Sequence, residues 1–183
     1  MKNHTLKQRF KALFLDYLII LLWMAVLAAV NVILFIVIFD GFPDYLGMFG
    51  PFWTQLIFFG VLTLPVGLFL YCSEAGPRHA TFGKRKAHLK VVSTDGSWAT
   101  RKQTAVRTVV KLLPWELSHA FIWQMQYVFY EHGYEAAVPA WIFVGLNVAT
   151  LMALVYVMLV VVRKDRRSVH DLVAGTKVVS SNK

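Results

Sequence analysis

The sequence predicts an all-α integral membrane protein with four transmembrane helices, formed as a single domain over residues 1–183. Three observations lead to this fold class. Hydrophobic residues make up 57% of the chain, which is more than a globular domain usually carries. Several apolar stretches approach the roughly 20 residues with which a helix crosses a bilayer. The chain also has a net charge of +9, and its basic residues lie between the apolar stretches.

The apolar runs place the four spans at residues 13–39, 52–72, 112–130 and 138–162. Asp40-Gly41-Phe42-Pro43 ends the first span, and Pro51 suits the first turn of the second. The third run is the least apolar, since it carries Pro114, Glu116 and His119. Two interpretations of it are open: it spans the membrane, or it lies in the interface as an amphipathic helix.

The distribution of positive charge favours the spanning interpretation. With four spans and a cytoplasmic N-terminus, the cytoplasmic segments are 1–12, the loop 73–111 and the tail 163–183. These hold four, nine and six basic residues, which are all the Lys and Arg of the chain. Basic residues near span ends mark the cytoplasmic side. The pattern therefore predicts a multi-pass protein with both termini in the cytoplasm.

The loop and the tail contain short elements of their own. Residues 87–93 predict a strand, and Thr100 caps a predicted helix that runs to Lys111 along the membrane surface. In the tail, Ser168 caps a single turn that Gly175 ends, and residues 176–180 predict a second strand. Lys-Val-Val-Ser occurs in both strands, at 90–93 and 177–180. Either the two strands pair in a small β element, or the repeat is a coincidence of common residues.

Several motifs fail on inspection, so the sequence predicts no enzyme, cofactor or metal. Gly83-Lys84 lacks the glycine and the hydroxyl residue of a phosphate-binding loop. Ser168, His170 and Asp171 are too close in sequence to form a catalytic triad. The basic charge follows the membrane topology, which argues against nucleic-acid binding and predicts the lipid bilayer, anionic lipids included, as the partner.

Ionisable side chains within the spans are the candidate functional residues. Asp16 lies about one turn into the first span, and Glu116 and His119 share a face of the third. A carboxylate at such a depth costs on the order of 2.5–3.5 kcal/mol on insertion scales, so it usually faces a partner or a polar cavity. The simpler interpretation is local neutralisation of each group. The functional one predicts a cytoplasm-facing pocket in which Asp16, Glu116 and His119 bind a small cation or a proton, with Glu116 as the exchanging group.

The chain also resembles the RDD family of bacterial membrane proteins, which is named for one arginine and two aspartates. The resemblance rests on Arg9 before the first span, Asp16 within it, and the tail motif His170-Asp171-Leu172-Val173-Ala174-Gly175-Thr176. Residues 81–85, 91–92 and 95–96 are similar to the central loop of the family. The resemblance implies that Arg9, Asp16 and Asp171 are the key residues, that the protein lies in a bacterial inner membrane, and that it transports ions or small ligands.

A guanidinium can bridge two carboxylates, so we expect Arg9 to hold Asp16 and Asp171 in one structural charge network. Two functional classes follow. In the first, the protein is a transporter or ion exchanger, and four spans then favour a homo-oligomer. In the second, it is a membrane scaffold or accessory subunit that does not transport, and the same charges only stabilise the fold.

Overall fold

The computed structural model describes residues 6–37, 41 and 44–181, and it is mostly helical with one small sheet. Its elements are α1 (Leu6–Val37), α2 (Tyr45–Phe58), α3 (Leu64–Ala75), α4 (Phe82–Lys86), β1 (Leu89–Ser93), α5 (Arg101–His132), α6 (Ala140–Val162), α7 (Val169–Val173) and β2 (Thr176–Ser180). A π-helical turn, Phe59–Thr63, joins α2 to α3. The predicted end of the first span, and the break after it except for Gly41, lie outside the described residues.

Within the described residues, three helical stretches are long and apolar enough to cross a membrane. They are Leu6–Val37, Tyr45–Ala75 and Ala140–Val162, and they correspond to the first, second and fourth predicted spans. The prediction of a helical membrane protein is confirmed at this level. Residues 112–130, the third predicted span, lie in α5 and are not among the three stretches.

The second apolar stretch is longer and less regular than its predicted span of 52–72. α2 begins at Tyr45, and the carboxylate of Asp44 accepts the backbone N–H of Gly47 at 2.8 Å. The helix then breaks at Gly50, whose φ is 67°, and Pro51 restarts it. Proline suits a first turn because that position needs no N–H donor. The π-helical turn follows two turns later, so this stretch has two local departures from α-helical geometry.

α5 is one continuous helix where the sequence predicted a surface helix ending at Lys111 and a separate span. Its start is as predicted, since Thr100 and Gln103 cap it reciprocally. The helix continues through Pro114, which removes the hydrogen bond normally donated to the carbonyl of Val110. Tyr156 of α6 donates its hydroxyl to that carbonyl at 2.9 Å. A neighbouring helix therefore satisfies the group that proline leaves open, and the helix need not end there.

α5 is the central helix of the bundle. It packs against α2, α3, α6 and α7, whereas the main partner of α1 is the short α4. Most of the apolar side chains of α1 are exposed, among them Leu22, Ile36 and Val37. A long apolar helix with so little protein around it is suited to contact with lipid or with another subunit.

The basic end of the bundle is the region where α3 and α6 finish and α5 begins, together with α4, α7 and the sheet. β1 and β2 pair antiparallel, with Val91 opposite Val178. The repeated Lys-Val-Val-Ser segments therefore pair, as one of the two interpretations predicted, although β1 begins at Leu89 rather than at 87. Gly175 has a φ of 63° and precedes β2, as the turn prediction required. The buried core here consists of strand residues, Ala12 of α1 and two alanines that flank β1: Ala12, Ala87, Leu89, Val91, Ala99 and Val178.

Candidate functional site: a buried charge network and a separate carboxylate

Arg107 of α5 is the centre of an ion network at the basic end. Its side chain is 2% exposed, and the carboxylates of Glu74 and Asp171 are fully buried. Arg107 Nε donates to Glu74 Oε2 at 2.8 Å, and Nη1 donates to Asp171 Oδ1. The same Nη1 also donates to the hydroxyl of Thr176 at 3.1 Å. One guanidinium thus connects the end of α3 to the tail.

Three further cations complete what we call the charge network: Arg107, Glu74, Asp171, Lys84, Lys111 and Arg9. Lys84 Nζ lies 2.7 Å from Glu74 Oε1, and Lys111 Nζ lies 3.5 Å from the same oxygen. Arg9 Nη1 lies 3.9 Å from Asp171 Oδ2. These pairs bring α1, α3, α4, α5 and α7 to one point. Each of the two buried acids has more than one cation beside it, so both negative charges are neutralised.

Local sequence features place these side chains. On α5, Thr104, Arg107, Thr108 and Lys111 recur at helical spacing and form one stripe, which faces the protein. In the tail, the carboxylate of Asp171 accepts the backbone N–H of Ser168 at 3.3 Å, which is the return bond of a helix cap. The single turn α7 therefore fixes Asp171 before it meets Arg107.

The surroundings of Asp171 and His170 shift their pKa values in a consistent way. Burial acts to raise the pKa of Asp171, but the adjacent Arg107 outweighs it, and the pKa falls to about 2. Burial lowers the pKa of His170 well below its usual value, and Arg107 lowers it further. At neutral pH Asp171 is therefore a carboxylate and His170 is neutral.

Asp16 is buried, and it connects α1 to α4. Its Oδ2 accepts the hydroxyl of Thr81 at 2.5 Å, and its Oδ1 accepts the backbone N–H of Gly83 at 2.7 Å. A Cβ at Gly83 would lie 2.1 Å from the carbonyl oxygen of Ala12, so only glycine allows the two helices to approach this closely. Asp16 thus supplies the acceptor that the start of α4 needs.

Glu116 forms a second site, which we call the Glu116 site: Glu116, Thr63, Trp115 and His119. The hydroxyl of Thr63, in the π-helical turn, donates to Glu116 Oε1. Trp115 Nε1 in turn donates to the oxygen of Thr63 at 3.1 Å. His119 Nδ1 lies 3.9 Å from Glu116 Oε1, beyond hydrogen-bond distance, and has no hydrogen-bond partner among the described residues. Both ionisable side chains are about a quarter exposed.

The structure brings some of the predicted site residues together and separates others. Arg9 reaches Asp171 as expected, but the expected bridge from Arg9 to Asp16 is not formed by the described residues. Arg9 and Asp16 are seven residues apart on one helix, about 10 Å along its axis, and the donors of α4 lie closer to Asp16. Asp16 and Glu116 line different cavities, so the described part of the chain does not bring these two acids together.

Sequence reasoning missed Glu74, Lys84 and Arg107, which hold most of the network. A signal for Glu74 exists: it is one of only two acids in the segment 73–111, which carries nine basic residues, and it directly follows an apolar span. The signal for Arg107 is the polar stripe of α5 that includes it. Each signal indicates that a charged side chain is buried near the opposite charge, but neither indicates which residue is its ion-pair partner.

The fold and the charge network define a helical membrane protein whose basic end is held together by buried ion pairs. The family model of the RDD family matches residues 4–175, and the chain therefore belongs to the RDD family. No curated protein and no solved structure matches the chain.

Proposed function

We propose that the protein is a multi-pass transporter of a bacterial inner membrane, with four spans and with the basic end in the cytoplasm. Residues 112–130 would supply the third of these spans, in addition to the three apolar stretches. The packing of α5 against α2, α3 and α6 supports this span, because the polar side chains of a spanning helix can then face protein instead of lipid. The confinement of Lys and Arg to one side supports the orientation.

The orientation can be tested by labelling single cysteines in intact cells. In a Cys72→Ala background, a cysteine at Ser181 should react only after the membrane is opened. Residues 133–139 connect α5 to α6 and would face outward, so a cysteine at exposed Tyr134 should react in intact cells. Labelling of Ser181→Cys from outside would reject the proposed topology.

We propose further that this transporter exchanges a proton or a small monovalent cation at the Glu116 site. The observation that carries the proposal is the carboxylate of Glu116 facing the π-helical turn Phe59–Thr63. π-helical turns occur frequently at functional sites, and Thr63 is the last residue of this one. The carboxylate of Glu116 and the hydroxyl of Thr63 together offer oxygen atoms to which a proton or Na⁺ would bind.

The size of the Glu116 site suits such a ligand. The cavity beside Glu116 and His119 has a volume of about 10 Å³, which is close to the space needed for one water molecule. The chain of donors from Trp115 to Thr63 to Glu116 leaves the other carboxylate oxygen available for a ligand. His119, one turn from Glu116, would accept or supply a proton as Glu116 changes its ligand. Asp16 has an anchoring role in this proposal, since α4 already provides its donors.

The test is flux in liposomes that contain only the purified protein, across a pH gradient with Na⁺, K⁺ or Li⁺. The wild type should exchange at least one of these cations for protons. Glu116→Gln should abolish the exchange, because a neutral amide cannot alternate between a proton and a cation. Glu135→Gln is the matched control, since Glu135 is exposed on the connection between α5 and α6, and it should transport as the wild type does. Asp16→Asn should transport if it folds.

The charge network favours a second candidate function, a membrane scaffold or accessory subunit that does not transport. A buried network in which every carboxylate is paired needs no ligand for its acids, and it can serve the fold alone. This candidate predicts no flux in wild-type liposomes, or equal flux in folded Glu116→Gln protein. Transport is the better supported of the two because the Glu116 site contributes little to the network that holds the basic end. A single carrier with few spans also favours a homo-oligomer, to which the exposed face of α1 could contribute.

A further inference from the structure

A large cavity at the basic end lies apart from the Glu116 site. Its volume is about 310 Å³, and it is formed mainly between α1 and α6, beside the charge network. This volume is at the lower limit of cavities that bind organic ligands. One part of the cavity is lined by cationic side chains and the rest by apolar ones. A complementary ligand would therefore have an anionic group and an apolar portion.

The cationic part is formed by Arg9, Lys84, Arg107 and Lys111, and Asp16 is the one carboxylate among the lining residues. The acids of the network, Glu74 and Asp171, lie behind these cations and are fully buried. Lys84 and Lys111 share one oxygen of Glu74, so neither cation has a carboxylate to itself. The wall of the cavity therefore carries an excess of positive charge.

His170 adds an unused polar group to this part of the cavity. It lines the cavity, and its Nδ1 is buried without a hydrogen-bond partner among the described residues. Buried polar atoms usually have a hydrogen-bond partner, so His170 Nδ1 is suited to bond with a ligand in the cavity. The anionic oxygens of a ligand bound next to Lys84 and Lys111 would lie in the same polar part of the cavity as His170.

The apolar part is formed by two helices that face the bilayer. Phe10, Leu13 and Tyr17 of α1 form one wall, and Val157 and Val161 of α6 form the other. All five side chains are more than a third exposed, so these walls are open to the surroundings of the bundle. From Phe10 to Ile20, which also lines the cavity, α1 rises about 15 Å, a length that accommodates much of an acyl chain.

We propose that this cavity binds an anionic glycerophospholipid. The phosphate lies against Lys84, Lys111 and Arg9, and one acyl chain follows the apolar walls of α1 and α6. Charge complementarity identifies the headgroup, because four cations with one carboxylate would repel a metal cation and attract a phosphate. The open apolar walls identify the remainder of the ligand, since a soluble phosphate would leave them unused. The inference is independent of transport at the Glu116 site.

The experiment is native mass spectrometry of the full-length protein in neutral detergent, titrated with phosphatidylglycerol, phosphatidylcholine or glycerol 3-phosphate. Phosphatidylglycerol should bind with one high-affinity site per chain and at least tenfold more tightly than the other two probes. Lys84→Gln with Lys111→Gln should weaken this site by about fivefold per lysine. The matched control is Arg101→Gln with Lys102→Gln, two exposed cations at the start of α5 that do not line the cavity.

A second pair of variants tests the apolar part without changing a charge. Val157→Trp should fill the cavity and reduce phosphatidylglycerol binding, whereas Val155→Trp, equally exposed on α6 and outside the lining, should not. Because both valines are about half exposed, both variants should fold. Equal binding of phosphatidylglycerol and phosphatidylcholine would overturn the proposal. So would glycerol 3-phosphate binding as tightly as the lipid, or Val157→Trp leaving lipid binding unchanged.

Discussion

The two carboxylate sites of this protein differ in how completely they are neutralised. In the charge network, Glu74 and Asp171 are fully buried and every cation around them is held within 4 Å. At the Glu116 site, the carboxylate is partly exposed, and His119 is too far away for a hydrogen bond. A fully paired buried acid stabilises a fold, whereas a partly paired acid can exchange its ligand. Under the proposed function, the comparison separates the residues that hold the fold from those that bind the transported ion.

The largest effect is expected at the centre of the charge network. Arg107→Ala would leave two buried carboxylates without their shared guanidinium, which typically costs 3–5 kcal/mol, on the order of a whole domain's stability margin. We expect the free energy of unfolding in detergent to fall by about this amount, or the protein to fail to accumulate. Arg101→Ala, at an exposed position of the same helix, should have almost no effect. A loss below about 1 kcal/mol for Arg107→Ala would contradict the structural role of the network.

The second effect is a dependence of stability on pH that arises from His170. Its pKa is well below the usual value in the folded protein, mainly through burial, so only the unfolded chain binds a proton as pH falls below about 6.5. Stability should therefore decrease on acidification between pH 7 and pH 5, by at most about 2 kcal/mol. Asp171 does not contribute in this range, because its folded pKa is about 2 and its unfolded pKa lies near 4.

Unfolding measured at both pH values checks this prediction. His170→Gln should remove most of the decrease, since glutamine has no proton to bind. His132→Gln is the control, because His132 is exposed at the end of α5, and it should leave the dependence as it is in the wild type. If the free energy of unfolding of His170→Gln depended on pH as it does in the wild type, His170 would be protonated equally in the folded and unfolded states.

A smaller effect concerns the pair formed by Arg9 and Asp171. The two groups are 3.9 Å apart, longer than the contacts of Arg107, so we expect a coupling free energy of about 1 kcal/mol. A double-mutant cycle with Arg9→Ala and Asp171→Asn measures this value directly. Additive losses in the cycle would mean that Arg9 stabilises the fold through other contacts. The same cycle with Asp16→Asn in place of Asp171→Asn should show weaker coupling, since α4 supplies the donors of Asp16.

The smallest effect on stability is expected at the Glu116 site. Glu116→Gln keeps an oxygen that can accept the hydroxyl of Thr63, so the free energy of unfolding should change by less than about 1 kcal/mol. The same variant should lose exchange completely in the flux experiment. A large destabilisation by Glu116→Gln would place this carboxylate with the structural network and remove the distinction between the two sites.

Features that depend on neighbouring residues could be predicted from the sequence. The cap at Thr100, the turn at Gly175 and the two strands follow from local backbone preferences, and the structure contains them all. The long apolar helices could also be predicted, because a helix that crosses a bilayer needs a minimum length of apolar residues. Of the candidate site, Asp16, Glu116 and His119 were identified because ionisable groups in apolar runs are costly.

Features that depend on distant residues could not be predicted. Arg107 contacts Glu74 and Asp171, which are 33 and 64 residues away, and no periodicity in the sequence relates such positions. The continuity of α5 through Pro114 depends on the hydroxyl of Tyr156, 46 residues beyond the carbonyl that it satisfies. The donors that Asp16 accepts were missed for the same reason, since Thr81 and Gly83 lie 65 and 67 residues beyond it.

The pairing of β1 with β2 has a consequence for the biosynthesis of the protein. β2 and Asp171 follow α6 in the chain, so they leave the ribosome after all the longer helices have been made. Until then Arg107 has Glu74 as a partner but lacks the second carboxylate, and β1 has an unpaired edge. Once the tail is synthesised, Asp171 can pair with Arg107 and β2 can pair with β1. The basic end therefore reaches its final state only when synthesis of the tail is finished, and we expect chains that stop before Asp171 to be preferred substrates of membrane proteases.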